Sequence, residues 1–281
     1  MKNLTTRSTK FDPLNNFFFY KIFGEKGDEI QLLGFINAVL GRTDDDKFVS
    51  VDILENKSFI ADIMGGKSCI LDVRAKLQNG TMVNIEVQLR NQYNLDRRSL
   101  FYFSKEYTSN LEAGGDYIEL PNVIAINIVD YDFPKTKDFH SCFRLREDSE
   151  QDIILTDALE IHFINMVKYR KHGKGRLDEP LCRWLAWFNK NSPPEILEEV
   201  VKMDTAIQNA DIRMTSLTKD EEEMDTYRRM QMAEFDRRSE LNYALKEEKF
   251  TTARNALAEG IPLESIKKIT GLSLEEIAKL Q

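Results

Sequence analysis

Between residues 14 and 41 the apolar positions recur at helical spacing. Leu32, Leu33, Ile36, Val39 and Leu40 form an i, i+3, i+4, i+7 stripe, and Gly41 stands where a left-handed C-terminal residue belongs. The unbroken run Phe17-Phe18-Phe19-Tyr20 is too apolar for a solvent-facing helix, which places it inside the fold. Residues 49–54 alternate weakly and predict a first strand. Residues 69–77 and 81–89 alternate clearly, with Asn79-Gly80 between them, and predict a hairpin. Helical spacing returns over 93–112, where Leu100, Phe103, Tyr107 and Leu111 share one face until Gly114-Gly115. Val123 to Val129 is a continuous apolar run, the pattern of a strand covered on both faces. Residues 139–146 and 157–164 predict two further strands. The class is α/β, a sheet of about five strands flanked by helices within roughly the first 170 residues.

The pattern changes after Pro193-Pro194. Residues 195–250 contain no Gly or Pro and are rich in Glu, Lys, Arg and Met, which predicts long helices with a break near Thr215 to Thr218. The last stretch predicts short helices, with Pro262 at the first position of one and Gly271 at its end. Ser273 and Glu276 have the spacing of a capping box for the final helix, and Ile266, Ile269, Leu272, Leu274, Ile277 and Leu280 are its inward set. These shifts divide the chain into a core over 1–177, a helical arm over 178–250 and a short helical motif over 251–281.

Composition narrows the classes. The chain has 281 residues, and 39 Lys and Arg against 47 Asp and Glu give a net charge of −8. The opening residues are polar and no run of 18 apolar residues exists, so neither a secretory leader nor a membrane span is expected. Cys69, Cys142 and Cys182 are few and widely spaced, which fits a reducing, cytoplasmic setting rather than a disulfide framework. His140, His162 and His172 are scattered, and no short Cys/His spacing suggests zinc. Lys168, Arg170, Lys171, Lys174 and Arg176 crowd a Gly-containing segment, read as a solvated linker or as a phosphate-contacting loop.

The hairpin carries the chemistry. Asp72, Arg74 and Lys76 share one face of its first strand; Asn84, Glu86 and Gln88 share one face of its second. A two-residue loop would set Val73 against Glu86. A three-residue loop, Gln78-Asn79-Gly80, pairs Val73 with Ile85, Ala75 with Val83 and Asp72 with Glu86, with Gly80 in a bulge position. Burial of one apolar face selects the second register. Two carboxylates then lie side by side with Gln88 next to them. A hard divalent cation resolves their repulsion and can acidify a water for attack on a phosphodiester; a solvated face screened by Arg74 and Lys76 is the alternative.

These residues resemble a known family. Asp72, a hairpin, and then Glu86-Val87-Gln88 look like the PD-(D/E)XK nuclease core, with Gln88 at the Lys position. Leu71-Asp72-Val73-Arg74-Ala75, Arg98-Ser-Leu-Phe-Tyr102, Gly115-Asp-Tyr117, the 123–129 run and the opening Phe19-Tyr20-Lys21-Ile22-Phe23-Gly24 resemble the recombination-promoting nuclease/putative transposase family of that superfamily. The likeness extends to the arm and to the Gly271-Leu-Ser-Leu-Glu-Glu-Ile end. It implies a restriction-endonuclease-like mixed sheet flanked by helices, with an all-α C-terminal extension. It also implies a metal-dependent DNA endonuclease associated with recombination or mobile DNA. Asp72 and Glu86, with the Val87 carbonyl, would hold Mg²⁺ or Mn²⁺. Gln88 would orient the attacking water, Arg98 would supply the missing positive charge and Tyr102 would support it.

One departure bears on activity. Asn16 and Tyr20 stand where the family's opening helix carries a carboxylate and a cation, with Glu25 and Asp12 the nearest compensating acids. The alternative function is therefore a catalytically weakened nuclease fold serving as a DNA-binding or protein-interaction module. The final two helices invite a helix-turn-helix reading, but Glu275 and Glu276 oppose phosphate contact, so packing or dimerisation is expected of them. A homodimer is expected through the helices after Pro194, where Met214, Leu217, Met224, Tyr227 and Phe235 give a partial apolar face.

Overall fold

The computed structural model describes residues 10–54, 73–91, 93–108 and 115–280. Among these, six strands form one sheet in the order β1-β2-β3-β4-β6-β5. They are β1 (Val51–Leu54), β2 (Val73–Leu77), β3 (Met82–Gln88), β4 (Val123–Val129), β5 (His140–Phe143) and β6 (Leu159–Asn165). β1, β2 and β3 are antiparallel neighbours, β3, β4 and β6 run parallel, and β5 returns antiparallel to β6. The sheet is therefore mixed, with helices around it.

The β2–β3 register is the one apolar burial demands. Val73 pairs with Ile85 and Ala75 with Val83, and all four are buried. The loop is three residues long: the Leu77 N–H donates to the Thr81 carbonyl at 2.9 Å and the Gly80 N–H to the Leu77 carbonyl at 2.9 Å. Gly80 has φ +87°, a conformation that costs an L side chain strain.

The predicted helix over 14–41 is two helices, α1 (Asn16–Phe23) and α2 (Glu29–Val39). Gly24 and Gly27 put two poor helix formers within one turn and the chain bends there. Gln31 braces the bend, donating to Asp28 Oδ1 at 2.6 Å and to the Ile22 carbonyl at 3.2 Å. Phe17, Phe18, Phe19 and Phe23 are buried as the pattern required. Phe23 and Phe35 meet Trp184 and Phe188 with ring centroids 5.2 to 5.8 Å apart. Gly34 permits the close approach behind this cluster, since a Cβ there would lie 2.4 Å from the Ala206 Cβ.

The 93–112 helix is described as α3 (Leu95–Thr108), and its orientation differs from the expected one. Leu95, Ser99 and Glu106 are buried, whereas Leu100 and Phe101 are exposed. The sheet face beneath α3 is mixed: Leu95 packs on Ala125, Val129 and Phe163, and the helix turns hydrogen-bonding groups toward the polar positions Glu86 and Asn127. Arg74 on β2 fixes the far end with two bonds to Glu106, Nε to Oε2 at 2.9 Å and Nη2 to Oε1 at 2.8 Å.

The basic segment is a short helix followed by a turn that contains Gly173 and Gly175. The helix is α4 (Met166–His172). Arg170 pairs with Asp130, Lys168 donates to the Thr136 carbonyl at 2.6 Å, and Arg176 pairs with Glu179. Lys168 and Arg170 thus hold the fold, while Lys171, Lys174 and Arg176 are exposed.

The following helices are α5 (Pro180–Phe188), α6 (Pro194–Met203), α7 (Thr205–Leu217), α8 (Glu221–Ala258), α9 (Leu263–Thr270) and α10 (Leu274–Ala278). The expected break near Thr218 separates α7 from α8. Leu197, Val200, Ile207, Met214 and Leu217 are buried, so α6 and α7 complete the core rather than extend from it. The chain forms two compact units, 1–224 and 225–281. In the second, Ala253, Ile266, Leu272 and Ile277 make a core with Phe250, Leu257 and Leu280 against it. Pro262 caps α9 instead of opening it, and Ile269 and Leu274 are exposed rather than inward. The Ser273/Glu276 capping box is present as expected.

Candidate functional site: the polar face of the sheet

Residues paired across a sheet share a face. Asn84, Glu86 and Gln88 on β3 therefore lie on the same side as Ala125, Asn127 and Val129 on β4. An apolar side chain at Asn84, Glu86 or Gln88 would satisfy the burial, yet all three positions are polar and at most 8% exposed. They lie under α3, which sends Arg98 and Ser99 down to meet them.

Glu86 is the centre. Its side chain is 2% exposed. Gln88 Nε2 donates to Glu86 Oε2 at 3.2 Å and Arg98 Nε lies 3.7 Å from the same oxygen. Glu86 Oε1 is buried with no hydrogen-bond partner among the described residues. Burial pushes the Glu86 carboxyl above the ordinary carboxylate range, against the pull of Arg98, Gln88 and Asn84. The Arg98 guanidinium sits 5.5 Å from the Tyr102 ring centroid, so the i, i+4 pair meets through the ring face. Arg74, the expected screening cation, is committed to Glu106 instead.

Three participants were not legible as site residues. The Tyr131 hydroxyl, just past the end of β4, donates to Gln88 Oε1 at 3.2 Å. Burial pushes its pKa up to about 12, so the phenol stays a donor. Ser99 Oγ donates to Asn127 Oδ1 at 2.8 Å, and Asn127 Nδ2 donates to the His162 carbonyl at 3.2 Å. The available signal was Asn127, a lone polar residue inside the apolar 123–129 run, followed closely by Asp130-Tyr131.

Of the expected site, Glu86, Gln88, Arg98 and Tyr102 come together. Val87 faces the opposite side of β3 and is 5% exposed, leaving only its backbone to the site. Asp72 lies outside the described residues. The two acids near Asn16 in sequence are both engaged elsewhere: Glu25 pairs with Lys21 at 2.7 Å and Arg213 at 2.6 Å. Asp12 accepts from the Leu14 N–H at 3.0 Å and lies 3.7 Å from Lys190.

A mixed six-stranded sheet with a buried carboxylate on a polar face beneath a helix defines the restriction-endonuclease-like class. Residues 13–244 match the model of the PD-(D/E)XK nuclease family transposases, and the chain belongs to that family. Residues 246–281 match the C-terminal HTH domain of the Rpn/YhgA-like nuclease family. The second match favours the helix-turn-helix reading of the final helices over the packing or dimerisation expected of them. No curated protein and no solved structure matches the chain. Among the described residues no helix is long and apolar enough to cross a membrane.

Proposed function

We propose that the chain is a metal-dependent DNA endonuclease acting in recombination or on mobile DNA, with its active site on the polar face around Glu86. The observation that carries the reading is Glu86 Oε1, a buried carboxylate oxygen with no hydrogen bond among the described residues. Burying such an atom costs several kcal/mol unless a cation or donor meets it, on the order of the penalty for an uncompensated buried charge. The residues fit a hard divalent ion of the Mg²⁺ or Mn²⁺ type: Glu86 and Asp72 would hold it, with the Val87 carbonyl as third ligand. Bound there, such an ion lowers the pKa of a water and neutralises charge developing on a phosphodiester.

The chain's own groups do the rest. Tyr131 and Glu86 fix the Gln88 amide from both ends, which leaves one N–H and one carbonyl lone pair to orient a water. Arg98 supplies the positive charge that Gln88, unlike Lys, cannot give a scissile phosphate. The ring of Tyr102 holds the guanidinium in place.

The helix-turn-helix unit contributes DNA affinity in this reading. Glu276 is committed to the Ser273 cap and to Lys246 at 3.3 Å, which weakens the objection that acids on α10 repel phosphate. Lys267, Lys268 and Lys279 are exposed there. The chain assembles as a homodimer through α8, whose residues 231–246 are all exposed and include Met232, Phe235, Leu241, Tyr243 and Leu245. Two sites would then serve two strands of a duplex.

The test is purified full-length protein on supercoiled plasmid, with Mg²⁺ or Mn²⁺ against EDTA and with Asp72→Ala as control. Conversion to nicked or linear DNA that needs the ion and Asp72 supports the reading. Metal-independent cleavage, or cleavage unchanged in Asp72→Ala, rejects it. DNA binding without any cleavage favours the weakened-module alternative, which Asn16 and Tyr20 motivate.

A further inference from the structure

The β5–β6 edge carries a second cluster, on the face of the sheet opposite Glu86. Glu86 pairs with Asn127 and Asn127 with Phe163, so Phe163 shares the catalytic face. Its neighbour His162 points the other way, as does Glu160 two residues before. β5 adds His140 and Cys142 to that same face, Cys142 directly opposite His162.

The four side chains are in contact. His162 Nε2 lies 2.7 Å from Glu160 Oε1, Cys142 Sγ lies 3.6 Å from the same oxygen, and His140 Nε2 lies 2.9 Å from His162 Nδ1. One ligand atom each from Cys142, Glu160 and His162 falls within 4.8 Å of the other two. His162 is 3% exposed, Glu160 is half-buried and Cys142 opens toward solvent.

We infer that Cys142, Glu160 and His162 form a second metal site, for a borderline-soft divalent cation of the Zn²⁺ class. The donor set decides the class, because thiolate, imidazole and carboxylate together suit Zn²⁺ and Co²⁺, whereas Mg²⁺ takes oxygen ligands. Tetrahedral Zn²⁺ bonds of about 2.0 to 2.3 Å set neighbouring ligand atoms roughly 3.3 to 3.6 Å apart. The Cys142–Glu160 pair already has that span, and the His162–Glu160 pair reaches it by a small turn of the carboxylate. Thiolate and carboxylate offset the charge of the ion, the carboxylate being shared with Arg144, and the open fourth position takes water.

His140 is the outer partner. With the ion bound it would accept from His162 Nδ1–H and so hold the ring with the Nε2 lone pair toward the ion, the arrangement that orients metal-binding histidines. Arg144 also holds Glu160, with Nε 3.3 Å from Oε2 and Nη2 2.7 Å from Oε1. Without an ion the same groups form a chain, His140 Nε2–H to His162 Nδ1 and His162 Nε2–H to Glu160. Binding moves each imidazole proton to the other ring nitrogen and releases the Cys142 thiol proton to solvent. The bonds formed are S–metal, N–metal and O–metal, with no change of oxidation state. The site ties the edge strand β5 to β6.

The test is titration of metal-free full-length protein with Co²⁺, read by thiolate-to-Co²⁺ charge-transfer absorption. One equivalent is expected to bind, to be displaced by Zn²⁺ and to resist excess Mg²⁺. The absorption is expected to vanish in Cys142→Ser, to need at least tenfold more Co²⁺ in His162→Gln, and to persist in Glu86→Ala, whose site lies on the other face. Absence of the band, or an unchanged band in Cys142→Ser, overturns the inference. Should Cys142→Ser fail to fold by circular dichroism, Glu160→Gln decides: it keeps the thiol, tenfold weaker binding supports the site, and unchanged binding overturns it.

Discussion

At the residue scale, the site depends on groups that hold other groups. Gln88 has no intrinsic reason to present one edge of its amide to a water, and Tyr131 supplies that reason through its hydroxyl. Tyr131→Phe is expected to lower cleavage by about tenfold to a hundredfold, the usual cost of losing an outer partner at a metal centre, with thermal stability nearly unchanged. A kcat effect with KM for DNA preserved marks it as a positioning residue. Full activity in the phenylalanine variant would show that Gln88 needs no such brace. Asp28 poses a separate question of charge. Burial raises its pKa to about 6 although Arg213 and Gln31 pull it down; Glu25 and Glu29 push it up further. A carboxyl whose folded pKa is raised stabilises the fold fully below its unfolded value of 3.8, and that contribution is lost as pH rises through about 6. Asp28→Asn keeps the acceptor for Gln31 and removes the charge. It should leave stability alone near pH 4 and add about 1 kcal/mol above pH 6, after discounting for solvent screening. Melting curves from pH 4 to 8 that run parallel for the two proteins would refute the assignment.

At the scale of elements, local rules were the most legible. The hairpin register followed from two alternating segments and a glycine turn, because the apolar pairing Val73–Ile85 and Ala75–Val83 admits only one loop length. The capping box of α10 followed equally from Ser273 and Glu276. α10 is five residues long and needs that cap, since so short a helix has almost no stability of its own. Ser273→Ala should cost about 1 kcal/mol, seen as roughly fivefold faster amide exchange across α9 and α10; unchanged exchange would mean that packing of Ile277 alone holds the helix. The orientation of α3 was not legible. Its apolar stripe promised a buried face at Leu100, but the sheet opposite carries Glu86, Gln88 and Asn127 among its apolar positions, and a helix is turned by what it must cover. The Cys142 and His162 pairing was hidden for a related reason. His140-x-Cys142 and Glu160-x-His162 are each same-face pairs on a strand, but only long-range pairing of β5 with β6 brings them together. The useful signal was this spacing of two, not the short loops of zinc motifs.

At the scale of the molecule, the α/β class and the helical C-terminal extension could be read from the periodicity, and the order of the strands could not. Parallel neighbours β3, β4 and β6 are joined through long connections, which no local pattern encodes. Nor did the sequence show that α6 and α7 belong to the core; their Met214 and Leu217 are spent inside it. The proposed dimer uses the exposed stretch of α8. Replacing Phe235 and Leu245 together by Glu is expected to convert a dimer to monomer in light scattering at micromolar concentration. A wild-type monomer, or a dimer indifferent to both changes, would remove α8 as the assembly surface.

The central claim is that Glu86, buried on the polar face, carries cleavage. The most direct measurement is the single-turnover rate of plasmid nicking in Mg²⁺ by Glu86→Gln against the unaltered chain, with melting temperature and DNA affinity measured on the same samples. Glutamine keeps the volume and an acceptor for Gln88 while removing the charge. The rate is expected to fall on the order of a hundredfold or more, with the fold and DNA binding retained. An unchanged nicking rate in a folded Glu86→Gln protein would contradict it.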